Sequence, residues 1–92
     1  MTKDVIAKLQ NLTLLYAEDE EGIRKNIADS LSYYVKEVIE ASNGAEAFEL
    51  YEQKKPDIIL SDIHMPILNG IEFVKKVRQI DKKIPIIMIT AH

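Results

Sequence analysis

Cysteine is absent from the 92 residues, which removes disulfides, thiolate metal sites and cysteine nucleophiles together and suits a reducing compartment. Basic residues are not in excess: 12 Lys and Arg stand against 15 Asp and Glu, for a net charge of −3. With no basic stripe, the footprint of a phosphate backbone is missing, and nucleic-acid binding by this chain is not expected. Long apolar runs are missing too. The longest, Ile84 to Ala91, contains a Pro and a Thr and falls far short of a membrane span, and no apolar signal segment follows a basic start. These absences point to a cytosolic chain that does not engage a membrane. At this length, with 47% hydrophobic residues, the chain is one small domain with a modest core.

Short β-branched runs alternate with segments of helical period. Leu12 to Ala17, Lys36 to Ala41, Asp57 to Leu60 and Pro85 to Thr90 read as strands. Two of them are almost purely apolar, as expected where helices cover both faces of a parallel sheet. Glu20 to Tyr34 sets Ile23, Ile27, Leu31 and Tyr34 on one stripe, Ala45 to Gln53 is a shorter helix, and Gly70 to Ile80 aligns Ile71, Val74, Val77 and Ile80. Asn43 and Asn69, each followed three residues later by Glu, predict helix N-caps in the manner of a capping box. Thr2 to Asn11 precedes the first strand and predicts a turn or two of helix through Val5, Ile6 and Leu9. The reading is α/β, built from βα units.

Ligands of such sheets collect at the carboxyl ends of the strands, where strand order reverses. Glu18 and Asp19 follow the first strand, and Ser61 and Asp62 follow the third. If those strands are neighbours, three carboxylates meet. Two such charges about 4 Å apart repel by roughly 4 kcal/mol at an effective dielectric near 20, so the cluster calls for a cation. An oxygen-only set with open positions favours Mg²⁺. Acids in a first helical turn also complement the helix dipole, which accounts for Glu20 and Glu21 and fits Glu18 and Asp19 on their own equally well. Asp62 separates the readings, because it leaves a buried strand into a proline-containing loop closed by Asn69-Gly70.

LLYAEDE, PDIILSDIHMPILNG and PIIMITAH, in this order, resemble the receiver domain of two-component response regulators from about residue 12 to His92, with residues 1–11 as an N-terminal extension. The resemblance implies a flavodoxin-like sheet of order 2-1-3-4 with helices on both faces. It implies that Asp62 is the phosphoacceptor, attacking without a general base because it is already ionised. Mg²⁺ would be held by Glu18, Asp19, Asp62 and the backbone carbonyl of His64. Thr90 matches the switch hydroxyl, and the backbone N–H groups of Ile63 and Ala91 would hold phosphoryl oxygens. The donor would be a sensor histidine kinase or phosphotransfer protein. Any catalysis would be limited to weak autophosphorylation and autodephosphorylation. His64 and His92 occupy positions that tune dephosphorylation in the family.

The family pattern continues past the fourth strand with a helix, a fifth strand ending in a Lys-Pro pair and a last helix, none of which has a counterpart in these residues. Lys54-Lys55-Pro56 mimics the pair, but precedes the third strand; Lys82 and Lys83 precede the fourth. An apolar, uncharged fourth strand left at an edge predicts a homodimer or domain-swapped oligomer through that strand. Three rivals follow. A receiver fragment acting only as a dimerisation or interaction module keeps the acids without completing the chemistry. An Asp-nucleophile phosphatase wants a second acid two residues beyond Asp62, where His64 stands. A nucleotide or flavin binder wants a glycine-rich turn after the first strand, where only Gly22 is found.

Overall fold

The computed structural model describes residues 2–90. Its elements run α1 (Lys3–Leu9), β1 (Thr13–Ala17), α2 (Glu21–Leu31), β2 (Glu37–Ala41), α3 (Gly44–Lys54), β3 (Ile58–Asp62), α4 (Gly70–Ile80) and β4 (Ile86–Ile89). The four strands form one parallel sheet in the order β2-β1-β3-β4, the order implied by the resemblance.

Alternation along β1 explains why its sequence is apolar throughout. Leu15 and Ala17 face α3 and α4 in a core with Ile39, Ile59, Phe73 and Val77. Leu14 and Tyr16 face the other way, toward Ala28, Ile27 and Leu31 of α2. Sheet closure is pinned at the start of β1, where the Thr13 N–H donates to Asp57 Oδ2 at 2.8 Å, across 44 residues of sequence.

The predicted caps form, with one change of partner. Asn43 and Asn69 Oδ1 accept from the N–H groups of Glu46 and Glu72 at 2.8 and 2.9 Å. Glu46 reaches back to the Ser42 N–H at 2.7 Å, one residue earlier than the reciprocal bond of a capping box. The turn or two expected in Thr2 to Asn11 is α1, capped by Thr2.

Several strand and helix ends shift by one residue from expectation, and two shift further. Helix α2 stops at Leu31 and not at Tyr34. Ser30 and Ser32 hydroxyls donate to the Asn26 and Asp29 carbonyls, and the Tyr33 and Tyr34 N–H groups bond three residues back, tightening the last turn. Tyr33 is left 83% exposed. Strand β3 runs on through Ser61 and Asp62, because both neighbours supply partners there: Ala17 lies beside Ser61, and Ile89 beside Asp62. Asp62 is therefore fixed by the sheet and not by the loop.

Candidate functional site

At the carboxyl end of the sheet, Glu18 follows β1 directly, and its N–H continues the ladder to the Ala41 carbonyl at 3.0 Å. Asp62 closes the neighbouring β3. This register, set by the apolar pairing of β1 with β3, brings one carboxylate oxygen from each of Glu18, Asp19 and Asp62 within 4.8 Å of one another. Glu18 and Asp62 are both 0% exposed, while Asp19 is open to solvent.

Glu18 is gripped on one side only. Its Oε2 accepts from the Glu20 N–H at 3.0 Å, whereas Oε1 is buried with no hydrogen-bond partner among the described residues. Burial raises the Glu18 carboxyl above its ordinary 4.5, and Asp19 and Asp62 push the same way against the Glu20 N–H. Tyr16, two residues back on the same face of β1, is pushed up to about 12 by burial first and then by the Glu18 and Asp62 charges.

Asp62 Oδ1 accepts from the His64 N–H at 3.3 Å. The N–H of Ile63, expected to face phosphoryl oxygens, donates instead to the Ile89 carbonyl at 3.0 Å, because β3 stays in the ladder to its last residue. The N–H beside the Asp62 carboxylate is therefore that of His64. Thr90 follows Ile89, the residue paired with Asp62. Ala91 and His92, the other expected contributors from this segment, lie outside the described residues.

The loop from Ile63 to Asn69 is clamped at two points. Gly70 N–H donates to the Ile63 carbonyl at 2.9 Å and Gly44 N–H to the Leu68 carbonyl at 2.8 Å. A Cβ on Gly70 would overlap the Asp62 carbonyl oxygen, and one on Gly44 the Leu68 carbonyl oxygen. Between the clamps the Leu68 N–H bonds to the Pro66 carbonyl at 2.7 Å, a three-residue turn that forces Ile67 to φ 69°, a strained setting for a β-branched side chain. The result is an opening of about 500 Å³ lined by Asp19, His64, Met65, Pro66 and Asn69. A second cavity, of about 320 Å³ and lined by Tyr51, Lys55, Pro56 and Asp81 among others, lies at the opposite edge of the strands and is not part of this site.

Sequence reasoning missed Arg24 and Glu40. The Arg24 guanidinium donates to the Glu18 carbonyl at 2.9 Å and to Glu40 Oε1 at 3.2 Å, with Lys25 3.5 Å from the same oxygen. A cation one turn into a helix that begins with acids, and a charged residue late in β2, were the available signals; their meeting depends on the register of Tyr16 with Glu40.

Three convergent carboxylates, with Glu18 Oε1 buried and lacking a donor among the described residues, form a hard, all-oxygen set that fits a divalent cation such as Mg²⁺. A family model for the response regulator receiver domain matches residues 14–92. The chain is 40% identical over 79 residues to the chemotaxis protein CheY of Bacillus subtilis, covering 85% of this chain and 66% of that protein. It is 30% identical over 84 residues to the sporulation initiation phosphotransferase F of the same organism, covering 91% and 68%. Against the chemotaxis response regulator CheY4 of Vibrio cholerae the TM-score is 0.79 at 34% identity, over 85% of this chain and 67% of that one. The chain spans only about a third of some transcriptional regulators it matches, such as PhoP of Bacillus subtilis, 34% of which is covered at 41% identity. Sheet order, acid placement and these likenesses agree: the chain belongs to the response regulator receiver domain family.

Proposed function

We propose that the chain is a phosphoacceptor in a phosphorelay, taking a phosphoryl group onto Asp62 from a histidine kinase or phosphotransfer protein. The observation that carries this reading is the buried Asp62 at the end of β3, with Glu18 and Asp19 oxygens within 4.8 Å. An Asp62 carboxylate oxygen forms the new bond to phosphorus while the phosphorus–nitrogen bond of a phosphohistidine breaks, its electron pair leaving on the imidazole nitrogen, which takes up a proton. The carboxylate needs no base. The His64 N–H orients Oδ1, and burial keeps water from the acyl phosphate. Thr90, one residue beyond the strand beside Asp62, is the hydroxyl placed to respond. Ile63 joins only if its bond to Ile89 opens.

Mg²⁺ would be held by Glu18, Asp19, Asp62 and the His64 carbonyl. When bound it supplies positive charge against the charge developing on the phosphoryl oxygens. Residues 1–11, carrying α1, are an extension ahead of the receiver. A cytoplasmic location is supported by the absence of cysteine. No helix among the described residues is long and apolar enough to cross a membrane.

The test is intact mass after incubation with Mg²⁺ and acetyl phosphate. One added phosphoryl group is expected, absent when the cation is chelated and absent in Asp62→Asn. No gain in the wild type would replace this reading with the second one, a receiver fragment that serves as an interaction module.

That second reading has its own support. Among the described residues β4 pairs on one side only, and Ile87 is 50% exposed. Beside it lies an apolar groove of about 310 Å³ lined by Leu9, Leu12, Leu31, Tyr34, Leu60 and Ile87 among others. We infer that the 92-residue chain dimerises or exchanges elements through β4, since an open apolar edge templates pairing. Light scattering is expected to give twice the monomer mass, falling toward the monomer in Ile87→Lys; a monomer at every concentration would remove the inference.

A further inference from the structure

Arg24 reaches the backbone of Glu18 yet pairs with none of the three site carboxylates. Its side chain is only 13% exposed; Nη1 donates to the Glu18 carbonyl at 2.9 Å and Nε to Glu40 Oε1 at 3.2 Å. By Coulomb attraction alone a cation in this neighbourhood belongs on the site acids. It goes instead to a neutral carbonyl and to a glutamate of β2.

That placement fixes one particular peptide. The Glu18 carbonyl and the Asp19 N–H belong to the same planar unit, so whatever holds the carbonyl sets the plane from which Asp19 departs. The Glu18 N–H is tied to the Ala41 carbonyl at 3.0 Å. With Arg24 on its carbonyl, the Glu18 backbone is held at both ends, once from β2 and once from α2. Glu40 supplies the third point, since it lies beside Tyr16 in the sheet and its carboxylate keeps the guanidinium turned toward the carbonyl. A planar guanidinium fork holds two acceptors in fixed directions, which a lysine ammonium does not. Lys25 lies 3.5 Å from the same Glu40 oxygen and donates to no backbone group among the described residues, so it shares the charge of Arg24 without its grip.

We propose that Arg24 is a positioning residue for the cation site: anchored by Glu40, it holds the peptide joining Glu18 to Asp19 so that their carboxylates converge with that of Asp62 on a divalent cation. The inference rests on the cation reading above and adds a residue to it. Groups that orient a metal's ligands are typically worth about 10- to 100-fold in affinity. The sign of the effect separates this role from charge. Removing a positive group near the acids should, through Coulomb's law alone, tighten the binding of a cation; removing a positioning group should weaken it.

The experiment is calorimetric titration of the whole chain with Mg²⁺ alone, for wild type, Arg24→Met, Arg24→Lys and, as the charge control, Lys25→Met. It is run in the cold, where circular dichroism shows each variant to be folded without the cation. Arg24→Met is expected to weaken Mg²⁺ at least about 10-fold, and Lys25→Met to bind within twofold of the wild type or tighter. A merely structural Arg24 would lower the melting temperature and leave the affinity of the folded chain unchanged or raised. Should Arg24→Met not fold, Arg24→Lys decides by the same figure, because it keeps the charge and loses the fork. A smaller loss than that, or tighter binding, would overturn the proposal and leave the cation reading standing; so would equal weakening by Lys25→Met. No binding by the wild type would overturn both.

Discussion

Gly70→Ala is expected to cost the fold about 3 kcal/mol, at the top of the usual range for overpacking. The whole stability of a chain this size is roughly 5 to 14 kcal/mol. The reason is local and rigid. An added Cβ would overlap the Asp62 carbonyl oxygen and come within 3.0 Å of the Asp62 carbonyl carbon and Ile63 Cα. All three are backbone atoms held in the sheet and cannot step aside. Relief requires α4 to lift from β3, which breaks the Gly70 to Ile63 bond and unseats Phe73 and Val77, both fully buried. Gly44→Ala meets the Leu68 carbonyl in the same way and carries the same sign. Gly22→Ala is the control: its new Cβ meets only the end of the Glu20 side chain, at 3.1 Å, and a helix gains up to about 1 kcal/mol from that exchange. Urea unfolding midpoints decide the matter. A Gly70→Ala midpoint equal to wild type would mean that α4 does not sit on Asp62 as described.

Glu18→Gln is expected to do two opposite things: raise the stability of the cation-free chain at neutral pH, and erase its response to Mg²⁺. Carboxylate oxygens within 4.8 Å of one another repel by roughly 3 kcal/mol or more at an effective dielectric near 20, so removing one buried charge should gain on the order of 2 kcal/mol. The wild type, by contrast, should gain about 2.7 kcal/mol at a Mg²⁺ concentration one hundred times its dissociation constant, or roughly 10 to 20 °C in melting temperature. The pH dependence has a definite sign. Burial holds the Glu18 carboxyl above 4.5 in the fold, so the folded chain binds that proton more tightly than the unfolded one. Stability from this group is fully present below pH 4.5 and is lost as pH rises through its higher folded value. The groups around it are Asp19, Asp62 and Tyr16, with Arg24 from α2 and Glu40 from β2. The advantage of Glu18→Gln should therefore shrink as pH falls through that raised folded value toward 4.5 and change no further below it. A variant less stable than wild type at neutral pH without cation, or one whose melting still climbs with Mg²⁺, contradicts this account.

What could be seen in the sequence was whatever is decided within a few residues. The caps at Asn43 and Asn69 formed because a side-chain acceptor and an N–H three residues on suffice. The doubly buried β1 was visible because both its faces are apolar. What escaped depends on partners far along the chain. Asp62 was placed just beyond its strand, since nothing local says that Ile89 will continue the ladder beside it. The same pairing takes up the Ile63 N–H, which no reading of DIHMP reveals. Arg24 and Glu40 find each other only once α2 lies over β2. Helix α2 looked longer because Tyr34 keeps the stripe, while the Ser30 and Ser32 hydroxyls that compete for its last carbonyls leave no periodic signal. The strand order itself followed from the family resemblance and not from periodicity.

The bond between Thr13 and Asp57, across 44 residues, bears on how the molecule is made. β1 docks against β3 only after β2 and α3 have been strung between them, so the acids meet through a non-local contact of the kind that slows folding. Glu18 and Asp62 remain far apart in the collapsing chain. Their mutual repulsion is incurred when the two strands come into register, and a cation binding between them acts on a state already assembled. A cation bound there would act as a latch on the finished sheet, slowing escape from the native basin and leaving the speed of entry set by chain topology.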